Sequence, residues 1–334
     1  MVWLWWFKQE NSMLSRTADH LYWMARYTER AENTIRLLDV NYQTSLMPQS
    51  TETAERGWRG MLSITELKGG YDEKYGIINR ADVLNYMVTD PSNPSSIYSC
   101  LQGARENARA VRGSLTTEVW ETLNTTWLDF LRMLDEDQLT RDPATFFEWV
   151  KHRSHLSRGV TLGTMLKDDA FYFLRLGTFL ERADNTARIL DVKFHGIENQ
   201  YLAFSHSAAS ESQQDYYHWA AVLRSLSGFE VYRKVYRDVI TPSRVAELMI
   251  LRDDMPRSLA SCMVEVIDIL ANVRNEQSPE TERRAGKLCA DLKYDRIEDV
   301  LNMGLHAYLT NFLERINDLG NSISRDFLVP LAVA

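Results

Sequence analysis

The chain has 334 residues with 38 Lys and Arg against 46 Asp and Glu, a net charge of −8; 45% of it is hydrophobic and 25% charged. That length and balance give a foldable globular chain and exclude a disordered one, and the acidic excess without any basic run argues against nucleic acid as a partner. Three cysteines, Cys100, Cys262 and Cys289, have neither CxxC nor metal-ligand spacing; their odd number fits a reducing cytoplasm rather than a disulfide framework.

Taken in order, Met1 to Phe7 is apolar and aromatic, but it lacks a basic start and is far too short to span a membrane. Residues 1–12 read as a loose N-terminal extension, with Met13 an alternative natural start. Helical periodicity then predicts a long helix from about Thr17 to Leu46, stopped by Pro48. Within it, Met24, Thr28, Ala31, Ile35, Leu38 and Tyr42 form one apolar stripe. Trp58-Arg59-Gly60-Met61-Leu62 marks a second helix. Tyr71 and Tyr75 follow, then Asn93-Pro94-Ser95-Ser96, with the proline at a helix start and Asn93 as a cap. Arg105, Glu106, Asn107, Arg109 and Arg112 form a charged helix closing near Gly113, which reads first as a solvated face with i,i+4 pairs and second as an interaction surface.

The chain then repeats itself. Glu181-Arg182-Ala183-Asp184-Asn185-Thr186-Ala187-Arg188-Ile189-Leu190-Asp191-Val192 answers Glu29-Arg30-Ala31-Glu32-Asn33-Thr34-Ile35-Arg36-Leu37-Leu38-Asp39-Val40, in a second long helix expected from about Asp168 to Ile197. Leu156-Ser157-Arg158 echoes Leu14-Ser15-Arg16, Trp219 echoes Trp58, Tyr232 and Tyr236 echo Tyr71 and Tyr75, and Met255-Pro256-Arg257-Ser258 echoes the earlier Pro94 turn. A last helix is expected from about Arg296 to Arg325. No segment alternates with the two-residue period of strands. The expectation is an all-α bundle built by internal duplication: repeats over 14–145 and 146–326, packed about a pseudo-two-fold axis as one continuous domain.

The chemistry concentrates in two places. Glu29, Asn33 and Arg36, with Glu181, Asn185 and Arg188 in the copy, form polar rows bordered by apolar residues, which predicts a second buried face. Such rows serve as a structural network, with Glu29 expected to meet Arg188 and Glu181 to meet Arg36, as a ligand or catalytic pocket, or as a solvated face of i,i+4 pairs. The segment Lys151 to Met165 reads as a loop, either one that only links the two halves or one in which Arg153, His155, Arg158, Thr161 and Thr164 converge on a carboxylate or phosphate. No Glu-x-x-His pair supports a di-iron site, and neither a metal nor a cofactor is expected. Phosphate-binding glycine motifs and a nucleophile elbow are missing as well.

With the doubled Glu-Arg helix, the Ala104 to Arg109 segment and Arg158-Gly159-Val160-Thr161-x-Gly163-Thr164-Met165 in sequence order, the chain resembles the Alpha-E family of bacterial proteins from Met13 onward. One departure is Thr178 in the second copy where the first has Arg26. The resemblance implies association with circularly permuted ATP-grasp proteins and transglutaminase-like peptidases, a system that makes and trims peptide amide bonds. It implies a cytoplasmic, membrane-free partner protein that docks with the ATP-grasp enzyme or presents a peptide carboxylate. Two alternatives stand beside it: an enzyme using Glu29 or Glu181 as general base with Arg30 or Arg182 orienting an anion, and a structural scaffold.

Overall fold

The computed structural model describes residues 13–48, 50–203 and 208–328; the side chains of 193–203 and 208–215 and the N-terminal extension expected over 1–12 lie outside that description. Among the described residues there are sixteen α-helices and no strand, so the protein is all α. No described helix is long and apolar enough to cross a membrane.

Two long helices organise the rest. The first, α1, covers Ser15–Ser45, and its partner, α9, covers Asp169–Ala203. Between them run α2 (Thr51–Ile64), α3 (Lys68–Lys74), α4 (Arg80–Val88), α5 (Ile97–Ala110), α6 (Thr117–Asp135), α7 (Gln138–Arg141) and α8 (Pro143–Thr164). After α9 come α10 (Ala208–Ser225), α11 (Phe229–Tyr236), α12 (Pro242–Ile250), α13 (Leu259–Asn272), α14 (Pro279–Tyr294), α15 (Ile297–Met303) and α16 (Leu305–Ile323). The α1–α9 contact is the most extensive among the described residues; α5 and α8 lie against α1, and α13 and α16 against α9.

The apolar stripes are core. Met24, Ala31, Ile35 and Leu38 of α1 and Leu176, Leu180, Ala183, Ala187 and Leu190 of α9 are all buried, each larger side chain contributing roughly 1.5–3 kcal/mol by leaving water. A glycine lets the two helices meet. A Cβ on Gly177 would stand 2.2 Å from the Tyr22 carbonyl oxygen and 3.3 Å from Ala25 Cβ, so only glycine permits this backbone approach.

Around this pair, the tyrosines and serines noted in the sequence hold the shorter helices. Tyr71 donates to the Ile77 carbonyl at 2.9 Å, and Tyr232 to the Val239 carbonyl at 2.8 Å. Ser96 caps α5 by accepting from Ser99 N, and Ser258 caps α13 by accepting from Ser261 N. Here the expected cap was one turn early. Asn93 instead holds the turn itself, accepting from Ser95 N at 2.9 Å and donating to the Tyr86 carbonyl at 3.0 Å.

Three further expectations change. Lys151 to Met165 is no loop: it continues α8 through Thr164. Its glycines were misleading, because Gly159 and Gly163 have nothing within 4 Å of a Cβ and cost only helix propensity, about 1 kcal/mol each. Buried Phe146, Phe147 and Val150 anchor the helix upstream. Leu156-Ser157-Arg158 therefore lies within α8, and the boundary drawn at 145/146 falls inside the same helix, which packs on α1 and α6. Lastly, the helix expected from Arg296 to Arg325 is two helices, broken at Gly304 with φ 90°, a left-handed backbone that favours glycine.

Candidate functional site

The polar rows are buried at Glu29, Asn33 and Glu181 and half-buried at Arg36, Asn185 and Arg188. Glu29 is 1% exposed and Glu32 is fully enclosed, with Asn33, Glu181 and Arg182 also inside. Because an unpaired buried carboxylate is prohibitively costly, each must find cations, and the α1–α9 crossing supplies them reciprocally. Glu29 of α1 accepts from Arg182 Nε at 2.9 Å and Nη2 at 3.0 Å. Glu181 of α9 accepts from Arg30 Nε at 2.6 Å and Nη2 at 3.1 Å. Each Glu-Arg dipeptide thus clasps the other through bidentate forks.

The remaining partners differ. Beside Glu181, Arg26 Nε donates at 2.7 Å. Beside Glu29, the second cation comes from Arg257, whose Nη1 donates to Glu29 at 3.1 Å and to Asn33 Oδ1 at 2.9 Å, while its Nη2 reaches Glu32 at 2.5 Å. Arg257 stands on the turn before α13, held there by Ser258 and by Thr186, which donates to the Arg257 carbonyl at 2.9 Å. Arg158 of α8 reaches Glu29 at 3.2 Å and also pairs with Glu32. Arg36 Nε donates to Glu32 at 2.9 Å, and His155 Nε2 lies 2.9 Å from Arg36 Nη2. Two carboxylates therefore share four guanidinium groups, and Asn33 Nδ2 is a buried donor with no partner.

The electrostatics follow from this geometry. Burial pushes the Glu29 carboxyl upward, but Arg182 and Arg257 outweigh it and leave Glu29 below the usual carboxylate range. Glu32 sits well below it for the same reasons, with Arg257, His155 and Arg158 opposing desolvation. Glu181 is likewise lowered by Arg26 and Arg30 against its burial. Burial pushes the Cys100 and Cys262 thiols up to about 12, so neither is a thiolate nucleophile near neutrality. Among the described residues no three His, Cys, Asp or Glu side chains are grouped to hold a metal ion.

The expected cross-pairs do not form. Arg188 is taken by Asp184, at 2.7 Å, and by Glu66; Arg36 goes to Glu32, and Asn185 is half-buried beside them. The reason is reach: the arginine next in sequence to each glutamate, rather than one two turns on, faces the opposite helix. The anion-binding group also separates. Arg158 and His155 join the network around Glu32, whereas Arg153 turns away to Thr126 Oγ1 at 2.8 Å and the Thr122 carbonyl at 3.1 Å. Thr161 bonds the Ser157 carbonyl within its own helix, and Thr164 meets Thr116 at 2.7 Å. On α5, Arg105 contacts Asn124 and Glu106, Arg109 pairs with Glu106 and Asn107 meets His20, whereas Arg112 lies past the end of the helix, in the 3-10 turn Arg112–Ser114, over the Trp120 ring.

Glu32, Arg26 and Arg257 were missed as members of the site. Glu32 reads in sequence as half of a surface i,i+4 pair, and nothing in helical periodicity carries a turn residue 225 positions distant to it. The one available signal for Arg257 was its place in the turn that echoes Pro94-Ser95-Ser96, where an arginine replaces a serine.

Residues 13–328 match a family described as a predicted alpha-helical domain with a conserved ER motif. This chain has five Glu-Arg dipeptides, of which Glu29-Arg30 and Glu181-Arg182 are the two whose glutamates are buried. Relatives include an uncharacterised protein of Mycobacterium bovis and another of Mycobacterium tuberculosis, each 25% identical over 324 residues. The match covers 90% of this chain but 35% of each relative, so the chain spans about a third of their length. No solved structure matches. With the family match extending over nearly its whole length, the chain belongs to the Alpha-E family.

Proposed function

We propose that the protein is a non-catalytic helical partner of a circularly permuted ATP-grasp ligase, working beside a transglutaminase-like peptidase in a system that forms or trims peptide amide bonds. The observation that carries the non-catalytic part is the arginine saturation of Glu29, Glu32 and Glu181. A general base works best with a pKa near the operating pH; these carboxylates are held below the ordinary range, and every one is engaged by at least two guanidinium groups. They suit a clamp that fixes the α1–α9 crossing and, through it, the outer surface offered to a partner.

Association with a second protein is supported by the resemblance and by the longer relatives, in which the matching stretch shares one polypeptide with further sequence. The test is ATP turnover by the purified ATP-grasp protein on a peptide pool, with and without this chain, together with co-elution on a sizing column. Stimulated turnover with co-elution supports the reading; neither effect removes it.

A further inference from the structure

One cavity of about 420 Å³ opens beside the charged network, lined by Arg36, Asp39 and Val40 of α1, Lys151 of α8, Arg224 at the end of α10, and Phe229 and Glu230 at the start of α11. Its size falls within the roughly 300–1,000 Å³ of small-molecule sites. The charges lining it divide into two kinds. Asp39 is satisfied, accepting from Lys151 at 2.8 Å and from Gln43 at 2.8 Å, and Arg36 is engaged by Glu32. Arg224 and Glu230 are exposed, and neither has an ion-pair partner among the described residues. Arg224 is instead laid over the Phe229 ring, 4.9 Å from its centroid, which holds the guanidinium at the cavity mouth.

An unspent cation and an unspent anion on one cavity, not paired with each other and sharing its wall with an aromatic ring, call for a ligand carrying both charges and an apolar body. The lining charges sum to +1, from Arg36, Lys151 and Arg224 against Asp39 and Glu230. A dianion such as phosphate would meet the two carboxylates without a compensating cation of its own, whereas a zwitterion meets each charge with its opposite. We propose that this cavity binds a short peptide with free termini: its carboxylate on Arg224, its ammonium on Glu230, and its side chain against Phe229 and Val40. The proposal builds on the peptide part of the functional reading, yet stands on Arg224 and Glu230, which the clamp does not use.

The probe is glycylphenylalanine titrated into the full chain by calorimetry, beside its C-terminal amide, its N-acetyl derivative, free phenylalanine and inorganic phosphate. The expected result is saturable binding of the dipeptide, weakened roughly tenfold or more by amidation, by acetylation and by Arg224→Ala or Glu230→Gln, with no saturable binding of phosphate. Both substituted residues are solvent-exposed, and an unchanged melting curve verifies the fold of each variant. Absence of dipeptide binding, undiminished binding by both variants, or phosphate binding as tightly as dipeptide would overturn the proposal; free phenylalanine binding as tightly would overturn its peptide part. Co-elution with the ATP-grasp protein without dipeptide binding removes the cavity proposal and leaves the partner reading intact. Dipeptide binding with neither co-elution nor stimulated turnover supports the cavity and removes the partner.

Discussion

Glu29 and Glu181 occupy the same dipeptide, on helices that cross at Gly177, yet their surroundings are unequal. Of the three arginines on Glu29, Arg182 and Arg257 have side chains only 9% and 7% exposed and Arg158 29%, whereas both of those on Glu181, Arg26 and Arg30, are 20% and 26% exposed. On the first side a second carboxylate, Glu32, and a third and fourth guanidinium, Arg158 and Arg36, enlarge the cluster. On the second, Arg26 spreads over the Tyr22 and Trp23 rings and reaches water. The difference teaches that the motif specifies a bidentate clasp, while the neighbouring elements decide how deeply it is sealed. Where α1 provides Arg26, α9 has Thr178, and the missing cation arrives from the Pro256-Arg257-Ser258 turn.

The sharpest way to break the comparison is to remove one cation from each side. Arg257→Met leaves Glu29 and Glu32 short of a partner in a sealed site and should cost about 3–5 kcal/mol, read as a shift in urea midpoint. Arg26→Met, beside water, should cost no more than about half of that, since water partly replaces the lost cation. Equal losses would contradict the asymmetry. Next in size, Gly177→Ala strikes both sides at once by forcing a methyl group into the Tyr22 carbonyl, and should cost at least roughly 1–3 kcal/mol, measured by thermal melting.

A pH titration separates the clasps from ordinary surface pairs. The three lowered carboxylates have native values below the ordinary 4.5. Their stabilisation is therefore full above about pH 4.5 and lost as the pH falls below it through the native values. Stability at pH 3.5 should be lower than at pH 7, and Glu32→Gln, at the carboxyl held well below its ordinary range, should flatten that dependence more than Glu181→Gln, by chemical denaturation at both pH values. Smallest is the cap pair. Ser258→Ala should cost about 1 kcal/mol through α13 and more than Ser96→Ala, because Ser258 also positions Arg257.

Much of this was legible in the residues. The long helices were placed within a few residues at their described starts and at the end of α1, because a 3.6-residue stripe repeated over eight turns leaves little freedom; apolar neighbours on both sides of Glu29 announced its burial. Partner choice was not legible. Periodicity says which face a residue occupies but not which turn of the opposing helix it meets, so Arg188 was preferred to Arg182. Arg257 lay beyond the same limit, arriving from a turn whose position depends on the packing of α13 against α9. In α8, Gly159 and Gly163 suggested a loop since glycine is a local signal, while the burial that makes α8 a helix sits a dozen residues upstream.

The claim at the centre is that Glu29 and Arg182 form a structural clasp between α1 and α9. A double-mutant cycle with Glu29→Gln, Arg182→Met and both together, followed by urea unfolding, measures it directly. The account predicts single losses of about 3 kcal/mol or more and a coupling of about 1.5 kcal/mol or more between them. Small single losses that simply add, with the fold intact and function abolished, would contradict it and return Glu29 to the role of a reacting group.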